Sequence, residues 1–562
     1  MIQIQAQAAR DLIETLVSGG VREAVISPGS RNTPLVLAAH ACEQLRCYVA
    51  IDERVAGFMA LGMSRLHGRP PLLICTSGSA LAHYAPAVLE ANAARLPMMI
   101  LSASRPEEKV DCGAPQALNQ KQVFDGYIRW FKHLPIADER GAQSWSSFAV
   151  AGLAACWGSP EGPVHLDCPF REPLWQSGLE TTVQPASVVL PATPRCDPSV
   201  YPSLASRLSR KKGLVICGPM HGSSTHDDRL ASALRALVSA LGWPIFAEPA
   251  SRLRGRCGEY EVPYLERLLE VGFLDRHSPD VVVQLGTGLT SKSLRAWLGR
   301  RDGDHLMLDR DGLWNDPTWR ADALVVGDES DTLDGLCAQR LDPAPPDWLH
   351  RWQQVTQCAE SSLDRSGWSE ATALGEVVKH FDVVQIANSL PVRHLEGFVS
   401  RQHMPETVLC NRGLNGIDGT IATALGACAA SGQRTLVVVG DVAFVHDLGA
   451  LAQAVGDQAD LCILVIDNGG GGIFRRLPIS DHEDAFSTYF ETPPAIDLLS
   501  IAQGLGMPAT RVTNTDALAK GLPSWLNASG PRVLIAKVHV DDEKAWTIQV
   551  EQAFRRAMVE FL

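Results

Sequence analysis

The sequence predicts an α/β protein with three doubly wound domains and mainly parallel sheets. Short β-branched runs, such as Thr435–Val439, alternate with helix-like segments along the whole chain, a pattern typical of parallel α/β architecture. A length of 562 residues corresponds to three or four domains at about 150 residues each. Two Pro-rich stretches, Val183–Pro194 and Leu341–Pro346, are the predicted linkers. The predicted domains comprise residues 1–183, 195–341 and 355–562.

Strand-like runs recur in each domain and support this division. In the first domain, successive strand–loop–helix units within about a hundred residues predict one doubly wound sheet. The later domains repeat the alternation. The predicted strands are Ala24–Ile26, Cys47–Ile51, Pro71–Cys75, Pro97–Leu101, Leu214–Cys217, Pro244–Phe246, Val281–Leu285, Ala323–Val326, Thr435–Val439, Leu461–Ile466 and Val533–Val538.

Composition and charge exclude several classes of protein. The chain has 50 basic and 63 acidic residues and a net charge of −13, so nucleic acid and anionic membranes are not expected as partners. Apolar runs are far shorter than the ~18 residues of a membrane span, and the N-terminus lacks a signal-peptide pattern. The 14 cysteines include no CxxC pair, which predicts buried, reduced thiols in a cytoplasmic protein.

The sharpest chemical signal is Gly440–Asp441, followed 27 residues after Asp441 by Asn468 and a run of glycines. Asp441 and Asn468 each end a predicted strand, with a crossover helix between them, so both are expected at the ligand-binding edge of the sheet. Carboxylate and amide oxygens suit a hard cation such as Mg2+. The glycines would admit a metal-bound diphosphate. Two ordinary strand-end turns are the alternative interpretation.

This spacing resembles the signature of thiamine diphosphate enzymes. The resemblance implies a pyrimidine-binding first domain, a central domain and a diphosphate-binding third domain, with thiamine diphosphate as cofactor. It also implies that Asp441, Asn468 and the main-chain carbonyl of Gly470 bind Mg2+, with Mn2+ as an alternative.

Glu53 matches a second feature of these enzymes. They carry a glutamate that hydrogen-bonds the aminopyrimidine ring and so lets the cofactor lose its thiazolium C2 proton. By resemblance Glu53 takes this role, since it precedes a helix rich in small and apolar residues. A glutamate at a helix start is also a common partner of the helix dipole. The neighbouring Asp52 could equally play that structural part.

Further motifs make the resemblance closer. They are Ile26–Leu35, Thr76–Gly78, Ser104–Glu107, Asp111–Ala114, Asn388–Leu390, Asn411–Gly413 and Gly416–Gly419. Together these motifs are similar to those of the 2-succinyl-5-enolpyruvyl-6-hydroxy-3-cyclohexene-1-carboxylate synthases, the carboligases of menaquinone biosynthesis.

This resemblance implies a reaction between multiply anionic substrates. 2-Oxoglutarate loses CO2, and the resulting succinyl carbanion equivalent adds to isochorismate in a 1,4 fashion. Both substrates carry two carboxylates, which the planar fork of arginine binds well. The substrate-binding and catalytic positions implied, besides Glu53, are Ser30, Arg31, Arg105, Gln116, Lys292, Arg393 and Arg412.

The resemblance also implies further contacts to the cofactor. Ile417 would hold the cofactor bent, and Ile473 and Phe474 would keep water from the reacting carbon. Ordinary core packing is the alternative for these three residues. No partner of His83, His394 or His446 is evident, and none is given a catalytic role. The remaining cofactor positions are Ser389, Leu390, Gly416 and Gly471.

The sequence departs from the family pattern at several positions. Pro115 and Ser293 replace residues in the inferred isochorismate region, which puts acceptor binding in question. Asp467 adds negative charge beside the expected diphosphate site, while Val442 and Gly469 depart from the generic metal-binding signature.

The resemblance implies a homodimer, or a homotetramer, with active sites between subunits. The nearest alternative function is another thiamine diphosphate-dependent 2-oxo acid decarboxylase or an acetolactate-synthase-like carboligase. A dinucleotide-dependent dehydrogenase is disfavoured because Gly286–Gly288 lacks the full glycine fingerprint. A non-catalytic relative is disfavoured by the presence of Glu53, Asp441 and Asn468.

Overall fold

A computed structural model describes residues 1–182, 193–220, 224–363 and 366–562. The chain forms two compact units. Unit 1 comprises residues 1–192, 411–433 and 447–459, and unit 2 comprises residues 193–410, 434–446 and 460–562. The first predicted linker, Val183–Pro194, lies outside the described residues except at its last two positions.

The first sheet belongs to unit 1 and is wholly parallel. Its strands are β1 Glu23–Ile26, β2 Arg46–Val49, β3 Leu72–Cys75, β4 Met98–Ser104, β5 Trp130–His133 and β6 Pro163–Pro169, and the helices are α1 Ile2–Ser18, α2 Thr33–His40, α3 Glu53–His67, α4 Ala85–Ala93 and α5 Trp145–Cys156. Over the described residues the strand order is β2-β1-β3-β4-β6-β5. The order reverses between β1 and β3, which creates a ligand-binding crevice at their carboxyl ends.

The second sheet lies in unit 2. Its strands are β7 Gly213–Cys217, β8 Ile245–Ala247, β9 Val281–Leu285, β10 Asp304–Asp309 and β11 Ala323–Val326, and the helices are α6 Tyr201–Leu208, α7 Ser224–Leu241, α8 Leu265–Glu270, α9 Phe273–Arg276, α10 Lys292–Arg300 and α11 Glu329–Cys337. These parallel strands follow the order β11-β10-β9-β7-β8. Strands β7 and β9 are buried along their whole length, which explains their continuous apolar sequences.

The third sheet, also in unit 2, carries the motif that the sequence predicts to bind a metal. Its strands are β12 Val383–Ile386, β13 Thr407–Leu409, β14 Thr435–Gly440, β15 Leu461–Asp467, β16 Ala509–Val512 and β17 Arg532–Lys537, and the helices from this third of the chain are α12 Asp347–Ser362, α13 Glu370–Val378, α14 Leu390–Phe398, α15 Thr420–Ser431, α16 Asp441–His446, α17 Leu448–Gly456, α18 Glu483–Phe486, α19 Leu498–Gly504, α20 Thr515–Asn527 and α21 Val540–Met558. The strand order is β13-β12-β14-β15-β17-β16. The crossover from β14 to β15 contains two helices, α16 and α17, where the sequence predicted one.

Helices α15 and α17 are distant in sequence from the first sheet but belong to unit 1. Helix α15 packs closely against α3 because glycines line the contact. A Cβ at Gly62 would lie 1.9 Å from the Thr423 carbonyl oxygen, and a Cβ at Gly426 would lie 1.9 Å from that of Met59. A side chain at either glycine would therefore force the two helices apart.

The predicted fold is confirmed: three parallel sheets with helices form three α/β domains. Each sheet falls within one predicted domain range, while the domain boundaries themselves remain predictions. Several strands of the structure were not predicted from the sequence. Strand β6 was missed because His165 and Asp167 interrupt its apolar run, although both side chains are buried.

The cysteines are placed largely as predicted. All fourteen are free thiols, and Cys75, Cys217 and Cys462 are fully buried inside strands. Among the described residues, no helix combines the length and apolar character required to cross a membrane.

Candidate active site

The third sheet brings the two predicted side-chain metal ligands to one edge. Strands β14 and β15 are parallel neighbours, with Gly440 opposite Ile466. Asp441 is the first residue of α16, and Asn468 directly follows β15. Both side chains are buried, with 1% and 9% exposure. The strand–crossover–strand spacing therefore positions these oxygens as the sequence indicated.

Backbone amides fix the carboxylate of Asp441. The main-chain N–H of Val442 donates to one oxygen at 2.8 Å, and that of Gly470 donates to the other at 2.7 Å. Burial raises the pKa of the Asp441 carboxyl to about 6, although these backbone hydrogen bonds oppose the shift. The contact to Gly470 ties the glycine loop directly to the first predicted ligand.

The amide of Asn468 is held by one end only. Its Nδ2 donates to Oε1 of Glu370 at 2.8 Å. Its Oδ1 is buried and has no hydrogen-bond partner in the part of the chain that the structure describes. An unsatisfied buried oxygen costs about 1–3 kcal/mol, so it marks a place where a ligand is expected. A hard cation beside the Asp441 carboxylate fits this set of oxygen donors.

Two glycines of the loop, Gly470 and Gly472, have no room for a side chain. Gly470 has φ +120°, and a Cβ there would lie 2.1 Å from the Glu491 carbonyl oxygen. A Cβ at Gly472 would lie 2.5 Å from Asn468 Nδ2 and 3.2 Å from Leu390 Cδ1. Glycine is therefore required at both positions.

Ser389 and Leu390 lie beside this loop. Ser389 caps α14 with φ +71°, a left-handed conformation that is strained for a residue other than glycine. It follows β12, whose neighbour in the sheet is β14. The N-terminus of α14 thus lies at the same sheet edge as Asp441, where its N–H groups and dipole favour an anion.

The structure accounts for the unexpected charge of Asp467. Its Oδ1 accepts a hydrogen bond from Lys537 Nζ at 2.8 Å. Lys537 lies opposite Asp467 in the neighbouring strand β17. The extra carboxylate is thus paired with a cation across the sheet.

Glu370 and His394 are parts of this site that the sequence did not indicate. His394 Nε2 lies 3.1 Å from Glu370 Oε2, and both side chains are almost fully buried. Ligand atoms of Glu370, His394 and Glu543 all lie within 4.8 Å of one another. Glu370 and Asn468 are 98 residues apart in sequence, so no local motif indicates their contact.

The remaining predicted residues of unit 2 are dispersed. Arg393 donates to the Ser389 carbonyl. Lys292 is an exposed residue at the start of α10, and no hydrogen bond or ion pair among the described residues joins it to the third-sheet site. Ile473 is half-buried, whereas Phe474 is 37% exposed and packs edge-to-face against Phe490, with ring centroids 5.9 Å apart. Core packing therefore does not explain Phe474.

In unit 1, three predicted loops meet at the carboxyl edge of the first sheet. A Cβ at Gly29 would lie 2.3 Å from the Thr76 Cβ, so the loop that carries Ser30 packs against the loop after β3. Gln116 has φ +53°, and its Cβ lies 3.4 Å from where a Cβ of Gly78 would be. Ser30 and Gln116 thus flank the switch point between β1 and β3.

Arg31 and Arg105 converge on one carboxylate. Glu172 Oε1 lies 2.7 Å from Arg31 Nη2 and 3.4 Å from Arg105 Nη1. The Arg31 side chain is only 6% exposed, and it also donates to the Phe170 carbonyl at 3.0 Å. Two guanidinium groups facing one carboxylate leave a net positive site at the sheet edge.

The structure separates the roles of Asp52 and Glu53. Asp52 is the N-cap of α3, and its carboxylate accepts the Arg54 N–H at 2.9 Å. Glu53 is the first helical residue, and its carboxylate makes no hydrogen bond or ion pair within the described ranges. The capping role thus belongs to Asp52, which leaves Glu53 available for a ligand.

Glu90 anchors the loop that carries Arg412. Its carboxylate accepts the N–H groups of Gly413 at 2.8 Å and Leu414 at 2.7 Å. Arg65 forms an ion pair with it at 3.0 Å, and both partners are buried. This buried pair fixes the main chain beside Arg412 and upstream of Gly416 and Ile417, both of which are half-buried.

Comparison with known proteins identifies the class. Residues 6–123 match the family model described as thiamine pyrophosphate enzyme, N-terminal TPP binding domain, and residues 393–536 match the corresponding C-terminal TPP binding domain. The chain is therefore a thiamine diphosphate-dependent enzyme with both cofactor-binding domains.

Relatives over almost the full length identify the family. The 2-succinyl-5-enolpyruvyl-6-hydroxy-3-cyclohexene-1-carboxylate synthase of Geobacillus kaustophilus is 36% identical, with 94% of each chain covered. The synthase of Myxococcus xanthus is 34% identical over 93% of this chain and 94% of its own. That of Halorubrum lacusprofundi is 32% identical over 98% and 97%. The chain belongs to this synthase family.

Proposed function

We propose that this chain decarboxylates 2-oxoglutarate and adds the succinyl group to isochorismate in a 1,4 fashion, as a transferase of menaquinone biosynthesis. Family membership supports the reaction, whose product is the compound in the relatives' name. When bound, thiamine diphosphate supplies the carbon centre that takes up the 2-oxo acid and stabilises the charge left by loss of CO2.

The convergence of Arg31 and Arg105 on Glu172 is the observation that carries the substrate assignment. These guanidinium groups already face a carboxylate, at the sheet edge where a ligand is expected. Glu172 is 69% exposed, so a substrate carboxylate can replace it beside the two guanidinium groups. Arginine holds a carboxylate in a defined orientation, which a reaction between two dianions requires. We assign further substrate contacts to Ser30, Gln116, Lys292, Arg393 and Arg412.

The cation and the diphosphate would be held at the third sheet. Asp441, Asn468 and the Gly470 carbonyl would bind Mg2+, or Mn2+ in its place, and the free Asn468 Oδ1 supports this assignment. Glu53 would hydrogen-bond the aminopyrimidine ring and exchange a proton there, since its carboxylate has no protein partner in the described residues. The other cofactor contacts that we propose are Ser389, Leu390, Gly416, Ile417, Gly471, Ile473 and Phe474.

We further propose a homodimer, or a homotetramer, with active sites between subunits, acting in the cytoplasm. Ten buried and four partly or fully exposed free thiols suit a reducing compartment. Sedimentation of the purified chain tests the assembly. A fully active monomer would contradict it.

The first test is isochorismate consumption by the purified protein with Mg2+, thiamine diphosphate and 2-oxoglutarate, with each component omitted in turn. Loss of isochorismate absorbance only in the complete mixture, with a succinylated product by mass, is the expected result. CO2 release without loss of isochorismate would exclude this acceptor and point to Pro115 and Ser293. Turnover of pyruvate alone would favour an acetolactate-synthase-like carboligase.

A further inference from the structure

We propose that Glu370 is a positioning residue that fixes the amide of Asn468 with its oxygen toward the bound cation. This inference rests on the proposed cation site at Asp441 and Asn468. It assigns a task to the buried Glu370–His394 pair, whose side chains are 4% and 2% exposed.

The chemistry of an amide makes such a residue necessary. The two ends of an asparagine side chain have nearly the same shape, but only the oxygen can bind a cation, whereas the nitrogen carries two N–H donors. A rotated Asn468 would turn those donors toward the ion and repel it. The required orientation must therefore come from a neighbour that accepts hydrogen bonds and cannot donate them.

Glu370 meets this requirement as an ionised carboxylate. Its Oε1 accepts from Asn468 Nδ2 at 2.8 Å, which leaves Asn468 Oδ1 as the end without a partner among the described residues. Gly472 allows this orientation of Asn468, because a Cβ at position 472 would lie 2.5 Å from Asn468 Nδ2 and would displace it. The absence of a side chain at Gly472 thus admits the amide to its position.

Glu370 is itself held from several sides. His394 Nε2 lies 3.1 Å from Oε2, the oxygen that Asn468 does not use. The main-chain N–H of Glu370 donates to Glu543 Oε2 at 2.8 Å. Ser369 caps α13 by accepting the Thr372 N–H at 3.0 Å, so Glu370 starts a fixed helix turn. A carboxylate in the first turn of a helix is also stabilised by the helix dipole.

The cluster is less suited to being a metal site of its own. Both oxygens of Glu370 are engaged, one by the amide of Asn468 and the other by the ring of His394. Glu543 uses Oε2 for the backbone of Glu370. A cation in the cluster would have to break these hydrogen bonds. The group is therefore better explained as support for Asn468.

Binding of Mn2+ to the full-length protein tests the inference without turnover. The loss of the free-Mn2+ electron paramagnetic resonance signal is measured in the presence of thiamine diphosphate and without substrates. Replacement Glu370→Leu is expected to raise the half-saturating Mn2+ concentration about 10–100-fold, the usual cost of removing a residue that orients a metal ligand. Glu261→Gln is the control, because the hydrogen bonds that this buried carboxylate accepts among the described residues come from backbone such as the Gly255 N–H, at 2.8 Å.

A double-mutant comparison distinguishes positioning from general stability. Glu370→Gln replaces the acceptor for Asn468 Nδ2 with an amide that can also donate, and is expected to raise the half-saturating Mn2+ concentration about tenfold. Asn468→Asp presents an oxygen at either end of the side chain, so Glu370→Gln should cause a clearly smaller loss of Mn2+ binding in the Asn468→Asp background than in the parent. Both changes are nearly isosteric, so this comparison remains decisive if Glu370→Leu does not fold.

The outcomes separate this inference from the proposed function. Parent-like Mn2+ binding by Glu370→Leu, or an equal loss from Glu370→Gln in the parent and in Asn468→Asp, would overturn the positioning role while the cation site stands. A parent protein that binds no Mn2+ with thiamine diphosphate would instead remove the proposed function. Two Mn2+ ions per chain, one lost in His394→Ala and kept in Asn468→Ala, would show that the cluster is a separate metal site.

Discussion

At the scale of single residues, adjacent carboxylates perform different tasks. Asp52 and Glu53 follow the same strand, yet Asp52 caps α3 while Glu53 has no protein partner in the described chain. A side chain can thus be structural while its neighbour is free to bind a ligand. The backbone decides between them, because the N-cap position directs the Asp52 carboxylate onto the Arg54 N–H.

Glu53→Gln is expected to retain thiamine diphosphate binding and lose about 10²–10⁴-fold in turnover, since proton transfer by a positioned carboxylate has that magnitude. Quenching of tryptophan fluorescence reports cofactor binding, and isochorismate loss reports turnover. Asp52→Asn is the control, because it alters the helix cap and leaves Glu53 in place. Parent-like turnover in Glu53→Gln would contradict the role proposed for this glutamate.

Arg31→Lys is expected to raise KM for one substrate about tenfold, because an ammonium cannot reproduce the planar fork of a guanidinium. Arg171→Lys is a suitable control, since Arg171 pairs with the exposed Glu108 at 2.8 Å. Initial rates with each substrate varied in turn provide the measurement. Equal KM values for parent and Arg31→Lys would exclude this arginine from substrate binding.

At the scale of elements, the buried Arg65–Glu90 pair holds the Arg412 loop. Removing one partner leaves the other charge buried without compensation, at a cost of about 3–5 kcal/mol. Arg65→Met is therefore expected to destabilise unit 1 strongly, and Arg65→Met with Glu90→Gln to destabilise it less. Urea denaturation followed by tryptophan fluorescence compares the two. A double variant less stable than Arg65→Met would show that the charges do not act as a pair.

At the scale of elements, the sequence could predict only the part of the site that local spacing determines. The spacing of Asp441 and Asn468 was informative because Asp441 directly follows β14, and a crossover and β15 separate it from Asn468, so local pattern sets their position. The contact of Asn468 with Glu370 depends on how α13 packs, and no spacing in the sequence encodes it. Likewise the partner of His394 was not evident in the sequence, because that partner, Glu370, lies on a different helix.

Fold prediction succeeded for a related reason. Strands such as β9 and β15 are buried on both faces, so their apolar runs are continuous and easily recognised. Strands β6 and β10 were not predicted because buried polar residues, including His165 and His305, interrupt their apolar pattern. Such residues make tertiary contacts, for example His305 Nε2 with Gln284 Oε1 at 3.1 Å, which the sequence does not display.

At the scale of the whole molecule, stability should depend on pH through His165. Burial lowers the pKa of His165 to about 4, from 6.5. The unfolded chain therefore binds a proton more readily between these values, and stability is lost as pH falls through this window. We expect His165 to contribute about 2 kcal/mol less at pH 5 than at pH 7.

Urea midpoints of the parent and His165→Gln at pH 7 and pH 5 measure this contribution. The parent should lose more stability than the variant on acidification, because the glutamine does not titrate. Ser102 lies 2.6 Å from His165 Nε2, and the amide can replace that hydrogen bond. An equal loss in both proteins would place the acid sensitivity elsewhere.

The close packing of α3 against α15 has a consequence for synthesis on the ribosome. Unit 1 takes in residues 411–433 and 447–459 in addition to the N-terminal segment. A nascent chain that ends near residue 192 lacks α15, the helix that covers Gly62 and Met59. This face of α3 therefore stays exposed while more than two hundred further codons are translated. Unit 1 is completed only after residue 459, so its first portion stays open long after it has been made and is a natural client for chaperones.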